Sequence, residues 1–257
     1  MHIKPVMGIA AILPLLCAPA ALAEPTEIVV YVISKDAKFV GTGMGGAHVV
    51  LRDADTGEVL AEGLTAGGTG NTPNIMTVPH IRRDVLSDDT AAKFSATLDL
   101  ERPRKISASA TGPMNPEDTA MTVSSTQWVV PGKHVDGGDA WLLELRGFAV
   151  SLSAPLPRDV ALQGGAKTIP IEVKVTMMCG CPLEPGGMWD ADKIEVAVLV
   201  THNGVVAPAI ALSYAGAASM FGGAIEFAAP GAYVVEVYAY DPANGNTGVS
   251  RTMLTAH

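Results

Sequence analysis

Pro230-Gly231-Ala232-Tyr233-Val234-Val235-Glu236-Val237-Tyr238-Ala239-Tyr240 is the stretch whose reading decides the fold. Tyr233, Val235 and Val237 recur at every second residue, the period of a strand with one face in a core, and not at the 3.6-residue spacing of a helix. Pro230-Gly231 sets a turn ahead of them. Working outward from this strand, Phe148 to Ala154, Thr168 to Met178, Lys193 to Thr201, Ala209 to Tyr214, Ala224 to Ala228 and Val249 to Thr255 carry β-branched enrichment or alternation and are bounded by turn residues. Upstream, Thr26 to Ser34, Ala47 to Arg52, Lys93 to Leu100, Lys105 to Thr111, Met121 to Val130 and Trp141 to Arg146 read the same way. Asp55-Thr56-Gly57 reads as a hairpin turn with Gly57 at positive φ. Gly41 to Gly46 and Gly67 to Pro73 read as loops, and one short helix is expected around Ser87 to Lys93, capped by Ser87. The expectation is an all-β chain of two consecutive β-sandwich domains, residues 24–147 and 148–257, meeting near Gly147 to Pro157.

Residues 1–23 read as a cleaved signal peptide. Lys4 forms the positive start, and Val6 to Cys17 is an apolar run too short to span a bilayer. Ala21-Leu22-Ala23 before Glu24 fits the small-x-small cleavage rule. The predicted localisation is periplasmic or secreted. Loss of Lys4 with this segment takes the net charge from −9 to −10. An acidic chain with no basic block argues against nucleic acid and anionic membrane faces as partners. No later stretch reaches the roughly 20 apolar residues of a membrane span.

The sequence Pro230-Gly231-Ala232-Tyr233-Val234-Val235 is similar to the start of an immunoglobulin-type F strand, where a tyrosine closes the sandwich corner with its hydroxyl. Val235 stands where an antibody domain has its second core cysteine, so the C-terminal part resembles the disulfide-free bacterial immunoglobulin-like or fibronectin-like domains. Gly46 to Leu60, with Asp55-Thr56-Gly57-Glu58 at its centre, resembles the hairpin of transthyretin-like, carboxypeptidase-regulatory-like sandwiches over about 40 residues from Thr26 to Thr69. Some 80 further residues depart from that small fold before the second domain begins. Neither resemblance transfers a catalytic residue.

Chemistry concentrates in Met177-Met178-Cys179-Gly180-Cys181-Pro182. Three readings stand for it. A Cys179–Cys181 disulfide closes only three residues, which in the chain-entropy expression is worth about 1.6 kcal/mol against about 3 for a 15-residue loop. A soft-metal site would use the two thiolates with Met178 and Met177 as thioether donors, a set that selects Cu(I). A redox pair would exploit a strained, easily reduced bond. Strand alternation turns Met177 into the core and leaves Met178 on the opposite face, free to join the site. Gly180 and Pro182 break the strand, which predicts exposed thiols at its end. Met188 and Trp189 could fold back over the loop, and His202 is the histidine best placed by sequence to add a nitrogen ligand.

Acidic turns at Asp53/Asp55, Asp136/Asp139, Asp190/Asp192 and Asp241 with Asn244 and Asn246 lack EF-hand spacing; turn formation is the commoner explanation for them, with inter-domain calcium the alternative. Gly41-Thr42-Gly43-Met44-Gly45-Gly46 leads into a strand, so it lacks the helix N-terminus of a phosphate loop. No nucleophile elbow or His-Glu-x-x-His occurs. The sequence therefore favours an exported, non-enzymatic binding or interaction protein, whose partner is another exported protein or an envelope component. Cu(I) handling or thiol-redox chemistry at the Cys-Gly-Cys loop are the alternatives.

Overall fold

A computed structural model describes residues 22–155 and 159–257. The signal-peptide reading, with Cys17, falls almost wholly outside them, as does part of the expected junction near Pro157. The strands in chain order are β1 (Glu24–Ser34), β2 (His48–Asp53), β3 (Val59–Leu64), β4 (Lys93–Leu100), β5 (Arg104–Gly112), β6 (Met121–Val129) and β7 (Trp141–Leu145). They continue as β8 (Phe148–Ala154), β9 (Asp159–Val160), β10 (Lys167–Met177), β11 (Glu195–His202), β12 (Val205–Val206), β13 (Ile210–Ala211) and β14 (Ser213–Tyr214). β15 (Met220–Phe227), β16 (Gly231–Tyr240) and β17 (Thr247–Ala256) complete the set. The five-residue α1 (Thr72–Met76) is the one α-helix among the described residues.

Four sheets form two stacked pairs. In the N-terminal pair, β4–β1–β7 faces β3–β2–β5–β6 across a core of Ile28, Val30, Val32, Val49, Leu51, Ile106 and Leu143. In the C-terminal pair, β14–β15–β10–β8 faces β12–β11–β16–β17–β9 around Ile171, Val173, Val175, Val198, Val235 and Val237. The all-β sandwich expectation is what the chain adopts. Dispersed short apolar runs produce it because each strand buries one face and leaves the other to water or to a covering loop.

β1 departs from simple alternation. Ile28, Val30 and Val32 enter the sandwich core, while Val29, Tyr31 and Ile33 are buried on the other face under Phe39, Ile75 and Ala91. The cover is Phe39 from the β1–β2 connection with Ile75 and Ala91 from the segment between β3 and β4, and the latter accounts for part of the sequence beyond the Thr26 to Thr69 resemblance. The helix expected at Ser87 to Lys93 does not form. Asp139 instead accepts the backbone N–H groups of Leu86 (3.0 Å) and Ser87 (2.7 Å), which holds that stretch extended against the β6–β7 connection. Helix appears in the stretch read as a loop, where Asn71 Oδ1 accepts the Asn74 N–H at 2.9 Å and Pro73 occupies the first turn.

The corner tyrosine forms as its sequence context indicates. Tyr233 is buried, and its hydroxyl donates to Ala229 O at 2.8 Å. Its ring meets Phe227 edge-on at 4.7 Å and stacks on His202 at 4.2 Å. Val173, Val175, Val196, Val198, Val235 and Val237 are buried in the register expected, with Ile194 half-buried just ahead of β11. Val235→Asp would place an unpaired charge in that core, at a cost of several kcal/mol against a total stability of about 5 to 15 kcal/mol. The expected result is loss of the cooperative urea transition of the C-terminal sandwich. Tyr233→Phe should lower stability by about 0.5 to 1.5 kcal/mol, the net worth of one hydrogen bond.

Candidate functional site

β10 brings the sulfur loop to the junction between the two sandwiches. Ile169, Ile171, Val173, Val175 and Met177 alternate into the C-terminal core along the strand. The strand ends where Gly180 takes φ +80°, a conformation that favours glycine, and the chain reverses on itself. The Gly180 N–H donates to Met177 O at 2.8 Å, and the Met177 N–H donates to Cys181 O at 3.1 Å. Leu183 then returns antiparallel, its N–H donating to Ser219 Oγ at 3.0 Å.

The thiols are not exposed. Cys179 is 4% and Cys181 6% accessible, and both belong to the C-terminal core together with Ala37. The correction has a physical cause: the turn after β1, Lys35 to Lys38, closes over the strand end, and the backbone N–H of Lys38 is hydrogen-bonded to the thiol sulfurs. This turn is fastened to the C-terminal sandwich by polar contacts. Lys35 Nζ donates to Asn244 O at 2.7 Å, Asn244 Nδ2 to Asp36 Oδ2 at 2.7 Å, and Trp189 Nε1 to Asp36 O at 3.0 Å.

Met178 does not join the thiols either. It is fully buried in the core of the N-terminal sandwich, the cluster that also contains Ala149 and against which Met44 packs. The face of β10 that bears Glu172 and Lys174 is open along most of its length, but its end at Thr176 and Met178 is covered by the other sandwich. Met177 lies on the thiol side and lines an open cleft of 630 Å³ with Phe148, Leu183 and Trp189. The four residues singled out by sequence are thus divided, Met177, Cys179 and Cys181 to one core and Met178 to the other.

No bond joins Cys179 to Cys181, and both are free thiols. They hydrogen-bond to one another. Chiefly through the hydrogen bond from Cys181, with the Lys38 N–H and ammonium assisting against burial, the Cys179 thiol is lowered to about 7. Cys181 is raised by that same hydrogen bond and by burial. Of the pair, Cys179 is the thiol that ionises first.

The other candidates lie elsewhere. His202 sits at the end of β11 remote from the sulfur loop, since its pairing partner is Tyr233, while Glu195 at the near end pairs with Tyr240. Seven residue steps of that strand, about 23 Å, separate the two ends. His202 bonds Pro230 O at 3.1 Å. The acidic turns spend their carboxylates on backbone: Asp53 Oδ1 accepts from Asp55 and Thr56, Asp190 Oδ1 from Gly186 and Asp192, and Asp241 Oδ1 from Ala243. Among the described residues no three His, Cys, Asp or Glu side chains converge as a metal-ligand group.

No protein-family model matches the sequence, and no curated protein matches it. Solved structures give distant likenesses. Fibronectin(III)-like modules of Clostridium thermocellum CbhA align over 90% of this chain and 93% of theirs at 13% identity, with a TM-score of 0.29. Titin domains I67–I69 align over 92% and 66% at 12% identity and 0.25. An engineered protein aligns over 50% of this chain at 18% identity and 0.32, and this chain spans 24% of its length. At these scores the likeness carries no argument of its own, and the sandwich architecture rests on the sheets described above.

Two outcomes follow from the loop geometry. A Cβ at Gly180 would stand 2.6 Å from Met44 Sδ, and positive φ costs an L-residue about 1 to 2 kcal/mol. Gly180→Ala should therefore destabilise the protein by about 2 kcal/mol, with a double-mutant cycle against Met44→Ala recovering only the collision. A thiol lowered from 9.0 to about 7 stabilises the fold fully above its unfolded value and loses that contribution as pH falls through about 7. Cys181, raised, works in the opposite sense and stabilises below its own unfolded value. Urea midpoints of the reduced protein should rise from pH 7 toward 9, and Cys179→Ser should remove that rise.

Proposed function

We propose that this is an exported, non-enzymatic interaction protein in which two sandwiches, fastened into one body, present their edges and faces to another exported protein or envelope component. The observation that carries this reading is the burial of Cys179 and Cys181. The densest reactive chemistry in the chain is packed as core, where a thiol is inert toward large partners. What remains accessible is strand edge and sheet face, the surfaces through which sandwich domains bind. No helix among the described residues is long and apolar enough to cross a membrane.

A second reading is favoured by one observation, the hydrogen-bonded Cys179–Cys181 pair with its lowered Cys179. Two adjacent thiolates select Cu(I), and here they would hold it as a two-sulfur site without Met178. The same pair could cycle between dithiol and disulfide with a small oxidant. Cu(I) titration of the reduced protein against a chromophoric chelator separates the readings. The interaction reading expects no copper retained by the folded chain. One Cu(I) held per chain, and lost in Cys179→Ser/Cys181→Ser, would replace it with the metal reading.

A further inference from the structure

The N-terminal sandwich has four edge strands, and they are not alike. The sheet β3–β2–β5–β6 ends on β3 and β6, and the facing sheet β4–β1–β7 ends on β4 and β7. β3 carries Glu62, β4 carries Lys93 and Asp99, and β7 carries Glu144. Charges of this kind keep strand edges from pairing with other chains. β6, Met121-Thr122-Val123-Ser124-Ser125-Thr126-Gln127-Trp128-Val129, has no charge and no proline over nine residues.

It is also widely exposed. Seven of its nine residues are exposed, only Val129 is buried, and Trp128 is 64% exposed. Among the described residues β6 pairs with β5 alone, from Met121 opposite Gly112 to Val129 opposite Arg104, so its outer-edge amides and carbonyls have no backbone partner; β7 meets β6 through a side chain, Trp141 Nε1 donating to Ser125 Oγ at 2.7 Å. A long, uncharged edge rich in Thr, Val and Trp is a template for an added strand.

We propose that β6 is the self-association edge of this protein: a second copy adds antiparallel along Met121–Val129 and joins two four-stranded sheets across a two-fold axis near Ser125. The proposal rests on the interaction reading above and names its surface. Charge decides for a second copy in this orientation. The exposed acidic turn Glu117-Asp118 immediately precedes β6, and exposed Lys105 and Lys133 flank its other end, with Lys105 paired to Trp128. Antiparallel self-pairing lays the acidic end of each copy on the basic end of the other, twice over; parallel pairing would oppose like charges. In a register centred on Ser125, Trp128 of one copy meets Thr122 of the other, and Val129 meets Met121. The two-fold axis makes every contact reciprocal, as a closed dimer requires.

Sedimentation equilibrium of the whole protein across the micromolar range tests this. The expected result is a reversible monomer–dimer equilibrium. Ser124→Lys/Thr126→Lys places two pairs of like charges opposite one another across the junction and should raise the dimer dissociation constant more than about tenfold, with an unchanged urea midpoint. Glu117→Lys/Asp118→Lys should weaken the dimer alone and recover affinity when mixed with Lys105→Glu/Lys133→Glu. A wild-type protein that stays monomeric overturns the proposal, including one that captures a synthetic peptide of residues 121–129. A dimer indifferent to the paired lysines, or charge variants that do not rescue each other, also overturns it. These results leave the interaction reading itself standing, since that reading is tested separately by the Cu(I) titration.

Discussion

The reversal at Met177 to Pro182 is the constraint on which the two sandwiches depend. Within five residues the chain places Met177 in one core, Met178 in the other, and Cys179 and Cys181 back in the first. Alternation of side chains across a strand end does this without any special chemistry, provided both faces of that end are covered. The cover comes from opposite directions, the Lys35 to Lys38 turn over the thiols and the N-terminal sandwich over Met178. Polar contacts through Asp36, Asn244 and Asn246 then fix the turn, with Asn246 Oδ1 accepting the Gly147 N–H at 3.1 Å where the first sandwich leads into the second. The buried sulfurs pack, soft and polarizable, where the two sheet stacks meet.

Much of the fold was legible because it rests on local pattern. Tyr233, Val235 and Val237 announce their burial by spacing, and Gly57 announces its turn with φ +78°. The corner hydroxyl finds Ala229 only four residues upstream, so its context is local too. The signals for α1 lie in the sequence at Asn71 and Pro73, a cap and first turn, whereas Ser87 is held by a carboxylate 52 residues away. Local capping rules cannot see such a partner.

The site was legible in composition and not in placement. Sequence isolates Cys-Gly-Cys as the place where sulfur gathers, and the strand break at Gly180 is real. What it cannot supply is the Lys38 N–H, some 140 residues earlier in the chain, or Met44 against Gly180. Both turn a strand end that reads as solvent-facing into an interior. His202 erred by the same logic in reverse, near in sequence order yet a full strand length away in space.

Thiol exchange of Cys179 and Cys181 in the reduced, native protein, followed across a urea series, tests the central claim most directly. If the loop is an interior fastening, modification will be slow in native buffer and its rate will follow the cooperative unfolding of the protein as urea rises. Rapid modification in native buffer, independent of urea below the unfolding transition, would contradict the account and return the pair to the surface as a reactive site.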